Sequence, residues 1–347
     1  MTTLKDIASE LDLSPATVSR ALNGFPEVNA RTKELVQKTA ERMNYRPNQF
    51  ARQLVSGRSG MIGMIIKSTE ETYGNVAFFQ VMSGLSTLLA EADLDLIFQA
   101  SKDQDIVAPY ERMLKKTSPD AFILMGPEKN DPRINFLKSK DIPFVVHGSV
   151  DDPDYAFYDI DNKQVASSVV DVLCDLGHSR IAMINGPEPL SFAQERRTGY
   201  LNSMRTHGLT VPDFALHHGV LTSDQGYTSA LSLLSERRGP RPSAIVCAST
   251  TIADGVYRAA KDLGLSIPKD LSVVAHDDAI PEMRAVNFEP ALTVTRSPIR
   301  DASAPLAMAI QKLLEGEKPE DLQTIAKAEL IVRNSTAPAP KDRTDPW

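Results

Sequence analysis

Residues 3–23 read Thr-Leu-Lys-Asp-Ile-Ala-Ser-Glu-Leu-Asp-Leu-Ser-Pro-Ala-Thr-Val-Ser-Arg-Ala-Leu-Asn. Leu4, Ile7, Ala8 and Leu11 fall at i, i+3, i+4 and i+7, the apolar stripe of one helix. Ser14 is suited to cap a second helix, because its hydroxyl can accept from an orphan backbone N–H. Pro15 fits the first helical position, where no N–H is needed. The second helix runs to about Asn23 with Val18 and Leu22 turned inward. Pro15, Ala16, Thr17, Ser19 and Arg20 are left outward, near the end that enters a major groove in helix-turn-helix proteins. Arg20 carries the fork of donors that matches guanine, and Thr17 and Ser19 are sized for phosphate or base contacts. Gly24-Phe25-Pro26 breaks the chain. A third amphipathic helix over about 30–43 then carries Leu35, Val36, Thr39 and Met43 to close a small bundle.

Charge agrees with a nucleic-acid surface at this end. Residues 1–60 hold nine Lys/Arg against six Asp/Glu, the remainder holds 29 against 39, and the whole chain carries −7. A basic head on an acidic body is expected when only the head meets phosphate. Past the bundle, Asn44-Tyr45-Arg46-Pro47-Asn48 leads into Gln49-Phe50-Ala51-Arg52-Gln53-Leu54-Val55-Ser56-Gly57-Arg58-Ser59. That is about two helical turns, too short to be stable alone in water.

The Thr-Val-Ser-Arg of 17–20, the Tyr-x-Pro-Asn of 45–48 and the Ala-Arg-x-Leu of 51–54 resemble the lactose-repressor (LacI/GalR) family of regulators. The resemblance implies that the second segment is a hinge helix, ordered on operator DNA, lying in the minor groove and paired with its dimer mate. Leu54 matches the leucine that wedges between bases at the operator centre, where an apolar side chain kinks the duplex. The expected DNA contacts are Thr3, Pro15, Ala16, Thr17, Ser19, Arg20 and Asn23 in the head, then Tyr45, Asn48, Ala51, Arg52 and Leu54.

Residues 61–335 are enough for two α/β subdomains. Apolar runs at 61–66, 94–99, 121–125, 144–147, 180–185, 215–219, 244–248, 272–275 and 292–295 read as strands alternating with helices, the first helix near 78–92. That alternation implies parallel, doubly wound sheets, which bind ligands at the carboxyl ends of their strands. The family resemblance continues in pieces. It is carried by Leu176-Gly177-His178-x-Arg180-Ile181, Ile184-Asn185-Gly186-Pro187, Arg196-Arg197-Thr198-Gly199-Tyr200 and the run from Leu263 to Val274. The expected architecture is an all-α helix-turn-helix domain at 1–47 and a hinge at 48–60. A periplasmic-binding-protein-like body of two parallel-sheet subdomains follows at 61–335, then a disordered tail at 336–347.

Asp277 lies just past the strand at 272–275, at its carboxyl end, where a carboxylate can accept from adjacent sugar hydroxyls. The resemblance gives this position the effector, and it gives Arg196 the role of a motif arginine with a rigid set of donors. Phe192, Leu221 and Ser297 fall at further family contact positions. His147 ends a strand, and Phe78 and Phe79 open a helix where they could stack on a sugar face, although aromatic residues there are more often core. Ser249-Thr250 stands where many sugar-responsive members carry Asn-Asp, which removes one charged acceptor. A sugar effector, with an α-glucoside favoured, follows from the resemblance. A purine-like or anionic effector stays open, because Arg196 could pair with a carboxylate or phosphate.

Cys174 and Cys247 have no Cys-x-x-Cys spacing, and the six histidines are scattered, so no metal or other cofactor is expected. No run approaches the 18 apolar residues of a membrane helix, and no signal peptide precedes the first helix, so a cytoplasmic location is expected. The common hydrolase, zincin and P-loop patterns are missing, and no enzyme activity is expected. Tetrameric members of the family append a leucine heptad helix here and this proline-rich tail carries none, so the resemblance implies a homodimer on a pseudo-palindromic operator. The leading reading is an effector-switched transcriptional repressor. The alternatives are a transport-type sugar-binding protein, or a corepressor-dependent regulator with a purine or anionic effector.

Overall fold

The computed structural model describes residues 2–22, 24–45, 58–68, 76–235, 240–341 and 345–347. Two compact units emerge, Met1–Gly60 and Met61–Trp347. In the first, α1 (Leu4–Glu10), α2 (Pro15–Leu22) and α3 (Ala30–Arg42) enclose Ile7, Ala8, Val18, Ala21, Val36 and Ala40. The turn between α1 and α2 depends on Ser14, whose Oγ accepts from Thr17 N at 3.0 Å. Asn29 caps α3 in the same way through Thr32 N at 2.8 Å. Leu35, expected in the bundle core, is 50% exposed. Val36, Thr39 and Ala40 fill that side of α3 instead, because one residue of helical rotation moves a side chain by about 100°. Asn23, Asn48, Ala51, Arg52 and Leu54 lie outside the described residues.

Among the described residues, the second unit has two six-stranded sheets. The first contains β1 (Met61–Lys67), β2 (Asp95–Ser101), β3 (Ala121–Met125), β4 (Phe144–His147), β5 (Ala156–Ile160) and β11 (Gln323–Ala326), in the order β11-β5-β4-β3-β1-β2, all pairs parallel. The second contains β6 (Ile181–Asn185), β7 (Leu216–His218), β8 (Ala244–Cys247), β9 (Ser272–Asp277), β10 (Thr293–Arg296) and β12 (Glu329–Ile331), in the order β12-β10-β9-β8-β6-β7. Only β12 runs antiparallel, to β10. Helices α4 (Val76–Ala90), α5 (Ala108–Lys116), α6 (Pro132–Ser139) and α11 (Ser303–Glu315) belong to the first lobe. Helices α7 (Asn162–Asp175), α8 (Ser191–Thr206), α9 (Ser223–Leu234) and α10 (Thr250–Asp262) belong to the second.

Successive strand residues point to opposite faces, so each sheet feeds two cores. Ile62, Met64, Ile123 and Val145 pack on one side of the first sheet, and Ile65, Phe122, Leu124 and Val146 on the other. The second sheet divides in the same way, with Ile184, Ile245 and Val273 opposite Met183, Val246 and Val274. Burial on both faces explains why these strands read as continuous apolar runs. Three strands escaped the sequence reading. β5 contains Asp159, while β11 and β12 are short edge strands with mostly exposed residues.

The tail corrects a second expectation. Its described residues pack on the second lobe instead of lying free. His178 Nε2 meets Ala337 O at 3.0 Å, Ala339 N donates to Leu176 O at 2.9 Å, and the Trp347 ring stands edge-on to Phe214 at 5.2 Å. Prolines remove donors from the segment, but its carbonyls still accept and its single tryptophan still gains from burial.

Candidate functional site

In the head, the expected contacts lie on the outside of a finished core. Pro15, Ala16 and Arg20 are exposed, Thr17 and Ser19 are half-buried, and Val18 between them is fully buried. The Thr17 hydroxyl is 2.8 Å from Ser14 Oγ, so the cap of α2 also orients a residue of its outer face. Thr3 caps α1 in a reciprocal box, with its N–H on Asp6 Oδ2 at 2.7 Å and Asp6 N–H on its hydroxyl at 3.3 Å. Backbone and side-chain hydrogen bonds from Thr3 hold the Asp6 carboxyl below its usual range. Tyr45 rests half-buried against the same core.

In the body, the candidate residues gather where strands of both sheets end. α8 starts just after β6, and Asn185, fully buried at the end of β6, donates from Nδ2 to Ala193 O at 2.7 Å. Gly199 lets α8 lie directly on α7, since a Cβ there would overlap the Lys163 carbonyl. This close approach brings Arg196 beside Asn162, the first residue of α7. Arg196 Nε donates to Asn162 Oδ1 at 2.9 Å, Nη1 donates to Ala248 O at 2.6 Å, and the guanidinium lies over the Phe192 ring at 5.1 Å. Burial pulls the Arg196 pKa down, and the charges of Asp278 and Asp159 work against that pull.

Asn162 is itself held from the first lobe. Its Nδ2 donates to Asp159 Oδ1 at 3.0 Å and to Ile160 O at 3.2 Å. Asp159 also receives Ser149 Oγ at 2.8 Å and Ile160 N at 2.7 Å. Burial raises the Asp159 pKa despite these donors.

Asp277 is the last residue of β9, not a residue beyond it as the sequence implied. It is buried, its Oδ1 accepts from Ala279 N at 2.8 Å, and its Oδ2 is 3.9 Å from Arg296 Nε. Ser297 N donates to the Asp277 carbonyl at 3.2 Å. Ser249 is occupied as the cap of α10, accepting from Ile252 N at 3.2 Å. The Thr250 hydroxyl next to it is buried and has no hydrogen-bond partner among the described residues. His147 ends β4 and stacks on Tyr158, ring centroids 6.2 Å apart. Burial pushes its pKa down to about 4, against the pull of Asp278. Phe78 packs on Phe98 of β2, while Phe79 and Leu221 stand 56% and 37% exposed.

Several members of this cluster were not among the expected site residues. His276 is buried, with Nε2 facing Asp278 Oδ1 at 3.4 Å and Nδ1 3.2 Å from Thr295 Oγ1. Burial and then the Arg196 charge lower the His276 pKa and favour the neutral ring. Burial opposes ionisation of Asp278, but contacts with His276 and the charges of Arg196 and His147 hold it below the usual carboxylate range. Asp159 and Asn162 carried no signal beyond a polar break after an apolar run. The Ala-His-Asp-Asp of 275–278 was the available signal for His276 and Asp278.

A small space of about 10 Å³ lies beneath Arg196 and His276, among Val165, Met183 and Val246, with room for one water at most. Among the described residues, no group of three His, Cys, Asp or Glu could hold a metal ion, and no helix is long and apolar enough to cross a membrane.

Two family models match the chain. Residues 3–48 match bacterial regulatory proteins of the lacI family, and residues 59–327 match periplasmic binding proteins and the sugar binding domain of the LacI family. The chain is 40% identical over 341 residues to the HTH-type transcriptional regulator AglR of Rhizobium meliloti, covering 97% of this chain and 95% of that protein. It is 32% identical to the HTH-type transcriptional regulator RafR of Escherichia coli, covering 92% and 94% of the two chains. A solved lac repressor dimer, bound to operator and the anti-inducer ONPF, superposes with a TM-score of 0.81 at 22% identity, covering 97% of this chain and 99% of that one.

Proposed function

This chain is a lacI-family bacterial transcriptional regulator, and we propose that it is a homodimeric repressor whose grip on operator DNA is set by an uncharged sugar held between the two lobes of the body. The proposal takes 1–47 as the DNA-binding head, 48–60 as the hinge and 61–335 as the effector-binding and dimerisation body. The head reads bases with Arg20 and neighbouring residues of α2. The sugar is held by Arg196, Asp277 and Thr250, with Phe192 behind the guanidinium.

One observation carries the choice of an uncharged ligand. The charges of the cluster are compensated from within. Arg196 has Asp278 and Asp159 as its electrostatic partners, Asp277 faces Arg296 at 3.9 Å, and burial favours neutral His147 and His276. An added anion would be desolvated without a free counter-charge, which is costly, whereas hydroxyls need only donors and acceptors. Arg196 still has N–H groups beyond those used on Asn162 and Ala248, and Thr250 supplies a hydroxyl. An α-glucoside remains the favoured member of the class, from the family resemblance.

The test is a thermal-shift screen against neutral mono- and disaccharides, sugar phosphates and purines, followed by operator binding with DNA selected from a random pool. A sugar at 100 times its Kd should stabilise the body by about 2.7 kcal/mol. Stabilisation by a neutral sugar together with a change in operator affinity supports the proposal. Stabilisation by phosphates or purines alone overturns the uncharged sugar and leaves the regulator.

A further inference from the structure

Helix α8, which carries Phe192 and Arg196, begins without a local cap. Leu190 occupies the N-cap position and makes no side-chain hydrogen bond there. The first N–H groups of any helix have no partner inside it and need an acceptor from elsewhere. Ser191 N–H finds one on the other lobe, donating to Pro127 O at 2.9 Å. Beside it, Glu128 and Leu190 form an isolated antiparallel bridge. Gly148, also on the first lobe, sits beneath Pro127 with φ +109°, and a Cβ there would come within 2.6 Å of the proline ring.

Pro127 and Glu128 follow β3 of the first sheet, whereas Leu190 and Ser191 follow β6 of the second. The chain crosses between the lobes elsewhere, after β5, after β10 and after β11. The bridge is therefore a contact that no covalent crossover enforces, and a rotation of the lobes about those crossovers would make or break it.

The first-lobe partner is shaped in advance. Arg133 and Asp131 form a buried ion pair at 2.6 Å. Arg133 also donates to Met125 O at 3.1 Å and to Gly126 O at 3.0 Å, and Asp131 Oδ2 accepts from Glu128 N at 3.2 Å. Burial opposes the Asp131 charge, but hydrogen bonds and charge from Arg133 hold its carboxyl below the usual range. These bonds fix the turn from Met125 to Asp131 with the Pro127 carbonyl presented outward.

We infer that this turn is a latch that caps α8 across the cleft. When the lobes close, Pro127 O completes the first turn of α8 and fixes the helix that positions Arg196. When they open, the Ser191 N–H passes to water. Asp131 and Arg133 are positioning residues that act on Arg196 through this cap. The consequence for DNA rests on the effector reading above, but the latch does not.

The experiment uses the full chain with Glu128→Cys and Leu190→Cys together. Residues opposed in an antiparallel bridge have Cα atoms about 4.5–5.5 Å apart, within the span of a disulfide. Deuterium uptake of the peptide spanning 187–196 is compared in the reduced and oxidised protein with no ligand present. A latch that opens predicts at least tenfold slower exchange of the Ser191 amide once the disulfide forms. Asp131→Asn, which loosens the turn, should speed the same exchange without oxidation. Equal exchange in reduced and oxidised protein, or failure of the disulfide to form, overturns the latch. A maltose titration of operator binding is then run on both forms. Loss of response only when oxidised extends the latch to the switch. An equal response in both forms overturns its role in switching. A reduced protein deaf to every sugar in the screen counts against the effector reading, and the exchange result stands by itself.

Discussion

The head and the body place their candidate residues on opposite sides of their cores. In the head, Arg20, Pro15 and Ala16 are exposed, and the six buried apolar side chains beneath them pack together without them. In the body, Arg196, Asp277 and Thr250 are 6%, 4% and 1% exposed, and Arg196 joins two helices and a strand end through its hydrogen bonds. The proposed reading surface of the head can therefore change without changing its stability. The proposed ligand groups of the body cannot, because Arg196 and Asp277 also hold its parts together.

The largest effect should come from breaking the body side of this contrast. Arg196→Ala leaves the buried acceptors Asn162 Oδ1 and Ala248 O without their donor. Each buried acceptor left unpaired costs about 1–3 kcal/mol. Chemical denaturation should show that loss in the body, and any ligand response should vanish with it. A variant that loses the response at unchanged stability would show that binding and folding are separable there, and the contrast would fail.

His147 tests the same point through pH. The unfolded chain titrates near the ordinary 6.5, the folded chain near about 4. Between these values the unfolded state takes up a proton that the folded state refuses, so stability falls as pH drops from 6.5 and the loss is complete near 4. The shift corresponds to about 3 kcal/mol at most. His276 and His178 are lowered too and add losses of the same sign as pH falls. Asp131 and Asp278, held below 3.8, lose their contribution only at lower pH. His147→Gln should thus flatten part of the stability curve between pH 4 and 6.5, and a curve that overlays the parent would contradict the neutral, half-buried ring.

Legibility in the sequence follows the same division. The head was readable because a helix writes its buried and exposed faces within a few turns, and Ser14, Pro15 and Val18 sit where the period of 3.6 requires. Even there, Leu35 went wrong by one residue of rotation. The parallel sheets were readable as apolar runs. The cluster between the lobes was readable only in part. Arg196 and Asp277 were singled out through a family motif. The chain from Ser149 through Asp159 and Asn162 to Arg196 draws on four segments, and nothing local marks a polar residue whose partner lies on another lobe. The tail misled because proline content reports missing donors but says nothing about acceptors or a single half-buried ring.

On the head side, Arg20→Ala should weaken operator binding by about 1–3 kcal/mol if its guanidinium reads a base. Because Arg20 is exposed, the melting temperature should stay where it was. Anisotropy and thermal denaturation on one preparation measure both. A drop in stability of similar size would mean that the outer face of α2 supports the fold, and the head would then resemble the body.

Ser14 is the place where the head comes nearest to the body's arrangement, because one hydroxyl serves both the fold and the reading surface. It accepts from Thr17 N and touches Thr17 Oγ1. Ser14→Ala should cost the head about 1 kcal/mol, read as faster amide exchange in α2, and it should also weaken operator binding by freeing Thr17. Ser14→Asp separates the two effects. A carboxylate keeps the cap and the stability, since it accepts the same N–H at a helix N-terminus. Set against operator phosphates, its charge should still reduce affinity. If Ser14→Asp is both stable and tight on DNA, the cap lies away from the phosphates, and the docking of α2 must be turned accordingly. If it is stable and weak, the head keeps stability and reading separate even at the residue they share.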